Sequence, residues 1–251
     1  MHIKYVDAHC HAHEYDESSL AKYNHILLFS VGDDYTSSIR NMKLEGKYSN
    51  IIGGIGVHPW SIGYEVPLEE VDKTIELALN VKPKMIGEIG LDKRFRPKTI
   101  ELQRKAFIKF LELASLLKNV IVNVHALGTW SEVFQELTNY NIRVAIFHWY
   151  IGPIDLLKEI ESQGYYITIN PSITFQKRHK EVLLSAPLNI ILTESDGPYK
   201  YRGQLLHSGM IPELIEYIAK IKDMDIEETR KIVNNNVKSM LKRIGASIDL
   251  A

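Results

Sequence analysis

A single cysteine, Cys10, stands among the 251 residues. One thiol excludes an intramolecular disulfide and a zinc site built from clustered cysteines. Long apolar runs are missing too: the longest uncharged stretch, 48–64, carries four glycines and Pro59, a poor composition for a bilayer-spanning helix. Neither charge sign prevails, since 30 Lys plus Arg face 31 Asp plus Glu for a formal net charge of −1. With 24% charged residues and no low-complexity tract, the chain is not disordered, collagenous or a coiled coil. Its start, Met1-His2-Ile3-Lys4, meets charge before a signal-peptide core can form, so the expected setting is the cytoplasm. Nothing in the composition calls for a membrane or an obligate protein partner.

What is present is a regular series of short, nearly continuous apolar runs, the pattern of parallel strands covered on both faces. Eight occur, at 5–8, 26–31, 51–57, 85–91, 120–124, 144–147, 165–169 and 189–193. Segments of helical period lie between most of them. The clearest has Leu102, Ala106, Phe110, Leu113, Ala114 and Leu117 as one stripe on a charged background. Thr129 with Glu132 and Asp225 with Glu228 have capping-box spacing, Pro67 suits a first helical turn, and Gly164 fits a helix stop. Eight β and α units in this length predict an α/β fold, a single (β/α)8 TIM-type barrel over residues 1–251, with a doubly wound open sheet as the runner-up. No Pro/Gly/Ser-rich linker marks a domain boundary.

Histidines fall where such a barrel would use them. His9 and His11 follow the first run, His58 the third, His125 the fifth and His148 the sixth, while Glu88 lies near the end of the fourth and Asp196 follows the eighth. The C-terminal strand ends of a closed barrel meet at one mouth, so these side chains are expected to converge there. Imidazole and carboxylate together suit Zn²⁺, Mn²⁺ or Fe²⁺, and Mg²⁺ with enough bound water. His9, His11, Glu88, His125, His148 and Asp196 are too many ligands for one tetrahedral zinc. They suit two divalent cations, His9, His11 and Asp196 on one, His125 and His148 on the other, with Glu88 shared, the two about 3.5–4 Å apart as in two-metal hydrolysis. In that chemistry Asp196 would take the nucleophile's proton, and a basic side chain such as Lys93 or Arg202 would offset charge growing on the reacting group.

The same residues sit in motifs that resemble the TatD-like metal-dependent deoxyribonucleases. These are Asp7-Ala8-His9-Cys10-His11, Gly56-Val57-His58-Pro59-Trp60, Gly87-Glu88-Ile89-Gly90-Leu91-Asp92, Val124-His125, Phe147-His148-Trp149-Tyr150 and Glu194-Ser195-Asp196-Gly197-Pro198-Tyr199, in that order from residue 6 to about residue 240. The resemblance implies a two-metal barrel that hydrolyses nucleic-acid phosphodiesters. Two departures touch the substrate side. The family commonly has an arginine two residues after the fifth-strand histidine, where this chain has Leu127, and an Asn-x-Pro loop where it reads 207–212. A metal-dependent amidohydrolase or small-molecule phosphoesterase therefore stands as a rival, and a catalytically silent binding protein as a second.

Charge around the mouth favours an anion. Segments 93–98, 177–180 and 200–202 hold Lys93, Arg94, Arg96, Lys98, Lys177, Arg178, Lys180, Lys200 and Arg202, without an acid among them. Lys93, Arg94, Arg202, His58 and Tyr199 are the expected substrate contacts, and single strands or ends of nucleic acid the expected substrate. Trp60, Trp149, Tyr150 and Tyr199 would either stack on bases or close the barrel top. Each has a plainer reading: basic loops are often solvated, His58 could merely hold the turn before Pro59, and His2, His13, His25, His179 and His207 read as surface groups or groups behind the ligands. Cys10 reads as buried filler turned from the pocket by strand alternation.

Overall fold

The computed structural model describes residues 3–250. Its strands and helices run β1 (Tyr5–Cys10), α1 (Glu17–Lys22), β2 (Ile26–Ser30), α2 (Tyr35–Lys47), β3 (Ile51–Ile55), α3 (Leu68–Val81), β4 (Met85–Gly90), α4 (Ile100–Leu117), β5 (Ile121–His125), α5 (Trp130–Asn139), β6 (Ala145–Phe147), α6 (Leu156–Ser162), β7 (Tyr166–Ile169), α7 (Lys177–Ser185), β8 (Ile191–Thr193), β9 (Tyr199–Tyr201), β10 (Gln204–Leu206), α8 (Ile211–Lys222) and α9 (Ile226–Arg243). β1 to β8 form one parallel sheet in sequence order, the expected barrel rather than the open sheet. Every residue of β2 to β8 is buried, which is why these strands read as continuous apolar runs.

Strand alternation sorts the core into two layers. Leu27, Phe29, Met85, Ile121, Ile146, Tyr166 and Leu192 belong to one buried cluster. Their neighbours Ile86, Val122, Phe147, Ile167 and Ile191 join the apolar faces of α3 to α8 in another. In β5 the inward series beginning at Ile121 continues through Asn123 to His125, so apolar filling gives way to polar groups toward the C-terminal end. Among α4 residues, Ala106, Phe107, Phe110, Leu111, Leu113 and Ala114 are buried, and burying each of the larger ones contributes roughly 1.5–3 kcal/mol.

Between β8 and β1 the barrel is joined by specific groups. Thr193 Oγ1 donates to Val6 O (2.6 Å), Ser195 N and Oγ donate to the Asp7 carboxylate (2.8 and 2.6 Å), and Asp196 N donates to His9 O (3.0 Å). The β-ladder register slips between Asp7 and Cys10 and again between Ile86 and Ile89, flanking His9 and Glu88. Such irregularities re-aim side chains beside active sites. Gly90 has φ 139°, and a Cβ there would lie 2.0 Å from His125 O, so only glycine lets β4 and β5 approach at this level.

The local expectations fare unevenly. Gly164 ends α6 at φ 69° as expected. Asp225 caps α9 by accepting from Glu228 N (3.0 Å). Thr129 makes no cap: its hydroxyl donates to Leu91 O (3.2 Å), and Glu132 pairs with Arg104 instead. Pro67 is the N-cap of α3, one position before its first turn. The eighth run begins as a 3-10 turn over Leu188–Ile190, and the β9–β10 hairpin was not foreseen. Its Arg202-Gly203 turn has φ 49° and 88°, the conformation of a two-residue I′ hairpin turn. Among the described residues no helix is long and apolar enough to cross a membrane.

Candidate metal centre

The C-terminal ends of the barrel strands bring His9, His11, Glu88, His125, His148 and Asp196 together. His9 Nε2 lies 3.3 Å from Glu88 Oε2 and 3.3 Å from Asp196 Oδ1, and His11 Nε2 is 3.5 Å from the same Asp196 oxygen. On the other side, Glu88 Oε1 is 2.9 Å from His125 Nδ1 and 3.0 Å from His148 Nε2. The His9 and His148 rings stack at 3.9 Å between centroids. Glu88 thus turns one oxygen to each set of imidazoles.

Behind these atoms stands a row of acceptors, buried except for the half-buried Asp33, three of which hydrogen-bond a ring. His9 Nδ1–H donates to Asn123 Oδ1 (2.8 Å), His11 Nδ1–H to Asp33 Oδ2 (3.1 Å) and His125 Nε2–H to Asp92 Oδ2 (2.9 Å), while His148 Nδ1 faces Glu194 Oε2 at 3.7 Å. Each partner leaves the opposite ring nitrogen bare toward the centre, as in metal sites whose histidines are oriented from behind. The sequence reading missed Asp33, Asp92, Asn123 and Glu194. Alternation could have found Asn123, two residues before His125, and Asp92 closes a motif already singled out. Asp33 sends no signal, because only the loop after β2 carries it to His11.

The donor set fits a cation. His9 Nε2 is buried and has no hydrogen-bond partner, although two carboxylates face it. Nδ1/Nε2 and carboxylate atoms of His9, His11 and Asp196, and likewise of His9, Glu88 and His148, lie within 4.8 Å of one another. Without a cation the charges lean on each other. Burial would raise the Glu88 pKa, but His58, His148 and His9 hold it well below the usual carboxylate range. Burial would lower His125, but Asp92 and Glu88 push it up to about 9. Asp196 is held low against its burial by His11 and His9.

His58, an expected substrate contact, also groups with Glu88 and His125, the nitrogen and carboxylate atoms of the three lying within 4.8 Å of one another. Its Nδ1 accepts from Trp60 N–H (3.0 Å), so in the neutral ring Nε2 carries the proton, and that atom is 3.2 Å from Glu88 Oε1. It is a donor rather than a bare nitrogen. His13 Nε2 contacts Asp33 Oδ2 at 3.1 Å. His179, expected near the surface or behind the ligands, is fully buried in α7 against Ser172 and Thr168, because the stripe carrying Val182 and Leu183 turns it inward. His2 lies outside the described residues. Cys10 is buried filler among Leu20, Ile26 and Leu28.

The centre opens into a cavity of about 890 Å³. His58, Arg94, Tyr199 and Arg202 line it, as do Arg96, Lys177 and Arg178, whereas Lys93, Lys98, Lys180 and Lys200 do not. Arg178 is committed to the carbonyls of Gly152 and Ile151 and to Glu181. Trp60 and Trp149 also line the cavity, but Tyr150 is buried with its hydroxyl on Pro153 O and only closes the barrel.

Comparison with known proteins agrees with this geometry. A family profile described as TatD related DNase matches residues 6–242. An uncharacterized metal-dependent hydrolase, MJ1582 of Methanocaldococcus jannaschii, is 32% identical over 96% of this chain and 98% of its own. Human deoxyribonuclease TATDN3 is 26% identical, covering 95% of each chain. The crystal structure of YJJV, a TatD homolog from Escherichia coli K12, shares the fold with a TM-score of 0.86 at 20% identity, over 96% of this chain and 99% of that one. The chain belongs to the TatD-related DNase family and is a metal-dependent hydrolase.

Proposed function

We propose that this hydrolase cleaves the phosphodiester bonds of nucleic acid, DNA in unpaired strands or at ends, with two divalent cations of the Zn²⁺, Mn²⁺ or Mg²⁺ class. The observation that carries the reading is the placement of Glu88, whose two oxygens face different groups of histidines. A carboxylate so placed is suited to bridge. His9, His11 and Asp196 would hold one ion, and His125 and His148 the other. Divalent cations in such a site lower the pKa of water and polarise phosphoryl oxygens.

The chain's own groups supply the rest. Asp196, whose Oδ1 lies 3.3 Å from His9 Nε2 and 3.5 Å from His11 Nε2 at the centre, would accept the proton of the attacking water. His58, its Nδ1 occupied by Trp60 N–H and its Nε2–H facing Glu88 Oε1, lines the cavity beside the centre, where an oxygen of the bound phosphate would compete for that Nε2–H. Arg94, exposed at the cavity and without a side-chain partner among the described residues, draws the polyanion in. It reaches the mouth beside Leu127: a Cβ on Gly128 would lie 3.9 Å from Arg94 Cβ. Positive charge thus enters from the β4 loop although the β5 loop has none. Tyr199 and Arg202 add a stacking face and a further charge on the opposite wall. The buried, unpaired Cys10 suits the reducing cytoplasm, where we place the activity.

Hydrolysis of a labelled single-stranded oligonucleotide and of bis(p-nitrophenyl) phosphate, across a salt series with each cation, tests this. Oligonucleotide turnover should fall steeply with salt and small-ester turnover little, and Arg94→Glu should raise KM for the oligonucleotide alone. An oligonucleotide left intact with all three cations, while amides or small esters are cleaved, would give the site to a small-molecule hydrolase.

A further inference from the structure

We infer that the loop after β4 forms a second phosphate-binding subsite, centred on Arg96, that engages a phosphate one link away from the group at the metal centre. The inference rests on the phosphodiesterase reading for the identity of that first group. The guanidinium of Arg96 lies 5.7 Å from the Trp60 ring and 5.2 Å from the Tyr64 ring, seated against two aromatic faces on the cavity wall. Its Nε is buried and has no hydrogen-bond partner. Among the described residues no carboxylate pairs with it, although Glu65 lines the same cavity. The other arginine on a ring, Arg202, sits on the exposed turn of the hairpin, and Arg178 is spent on carbonyls. An arginine already ordered by its stacking, yet with its donors unspent, matches a planar, bidentate partner such as phosphate.

The loop is also held at a set position relative to the metal centre. Asp92 Oδ1 accepts from Arg94 N (2.8 Å) and Phe95 N (2.6 Å), while its Oδ2 accepts from His125 Nε2–H and from Trp60 Nε1–H. One carboxylate therefore fixes the His125 ring, the indole on which Arg96 lies and the turn that carries Arg96. From α4, Gln103 braces the same loop, accepting from Asp92 N (2.7 Å) and donating to Arg96 O (2.9 Å). A rigid link of this kind selects a ligand with two phosphates at a fixed spacing, as along a nucleic-acid strand. It also distinguishes a strand from a lone phosphodiester.

Calorimetric titration of the metal-loaded protein with thymidine 3′,5′-bisphosphate and with the 3′- and 5′-monophosphates tests the subsite without requiring any bond to break. The bisphosphate should bind about 10-fold tighter or more than either monophosphate. Arg96→Gln should abolish that advantage and leave monophosphate affinity unchanged. Arg96→Lys, which keeps the charge but not the plane, should restore part of it and guards against a folding artefact. Equal affinities in the wild type, or an advantage that survives in Arg96→Gln, overturn the inference. A chain that cuts no oligonucleotide but keeps the Arg96-dependent advantage loses the nuclease reading and retains the subsite.

Discussion

Glu88 concentrates one negative charge among four imidazoles, His9, His58, His125 and His148, and its burial leaves water no part in screening it. Replacing it with glutamine keeps the shape and removes the charge. Glu88→Gln should stay folded and lose turnover by at least roughly 10³-fold, read as kcat with saturating cation. Near-normal turnover would show that the carboxylate does not join the two halves of the centre. His179 tests burial in the opposite sense. Burial lowers its pKa to about 4 from 6.5, so the folded state takes its proton later than the unfolded chain does. Stability is then intact above pH 6.5 and is lost as pH falls through that window toward 4, by on the order of 3 kcal/mol. Urea unfolding of the metal-free protein between pH 7 and 4.5 should show His179→Gln losing less stability than wild type. Parallel losses would assign the acid lability elsewhere. The clustered histidines and carboxylates were legible because such residues repeatedly followed apolar runs. His179 was not, since its helix phase decides which way the ring points.

At the scale of elements, caps show how local chemistry is overruled. Asp225 has the cap its spacing predicts, whereas Thr129, with equal spacing, gives its hydroxyl to Leu91 O because the β5 loop packs against the β4 loop. Asp225→Ala should therefore cost about 1 kcal/mol of unfolding free energy, measured by chemical denaturation. A change within a few tenths of a kcal/mol would mean that packing against α8 alone holds the start of α9. The hairpin of β9 and β10 was invisible for a related reason. Two three-residue strands with exposed positions bear no clear alternation, and the turn Arg202-Gly203 relies on an arginine at positive φ.

For the whole molecule, closure and cation binding are linked. The bonds that join β8 to β1 run from Thr193 to Val6, from Ser195 to Asp7 and from Asp196 N to His9 O, so two residues of the metal centre, His9 and Asp196, also belong to the seam of the barrel. A cation bound only by the folded state at about 100 times its Kd adds about 2.7 kcal/mol, which for a chain of this size raises Tm by roughly 5–10 °C. Scanning calorimetry with cation and with chelator should show that shift in the wild type and a much smaller one in Glu88→Gln. A Tm indifferent to chelator would place cation binding outside the folding equilibrium.

The sequence by itself determined the eight barrel strands, the barrel and the meeting of six imidazole and carboxylate side chains at its mouth. Burial on both faces of a parallel strand leaves an unmistakable apolar run, and barrel closure then sends every C-terminal strand end to one mouth. Tertiary structure alone decided which acceptor stands behind each imidazole, which of nine basic residues face the cavity, and that Asp92 links His125 to the Arg96 loop. Those outcomes depend on side-chain direction and on contacts between loops far apart in the chain, as between Asp33 and His11 or Asp92 and His125, and no local pattern of residue types encodes them.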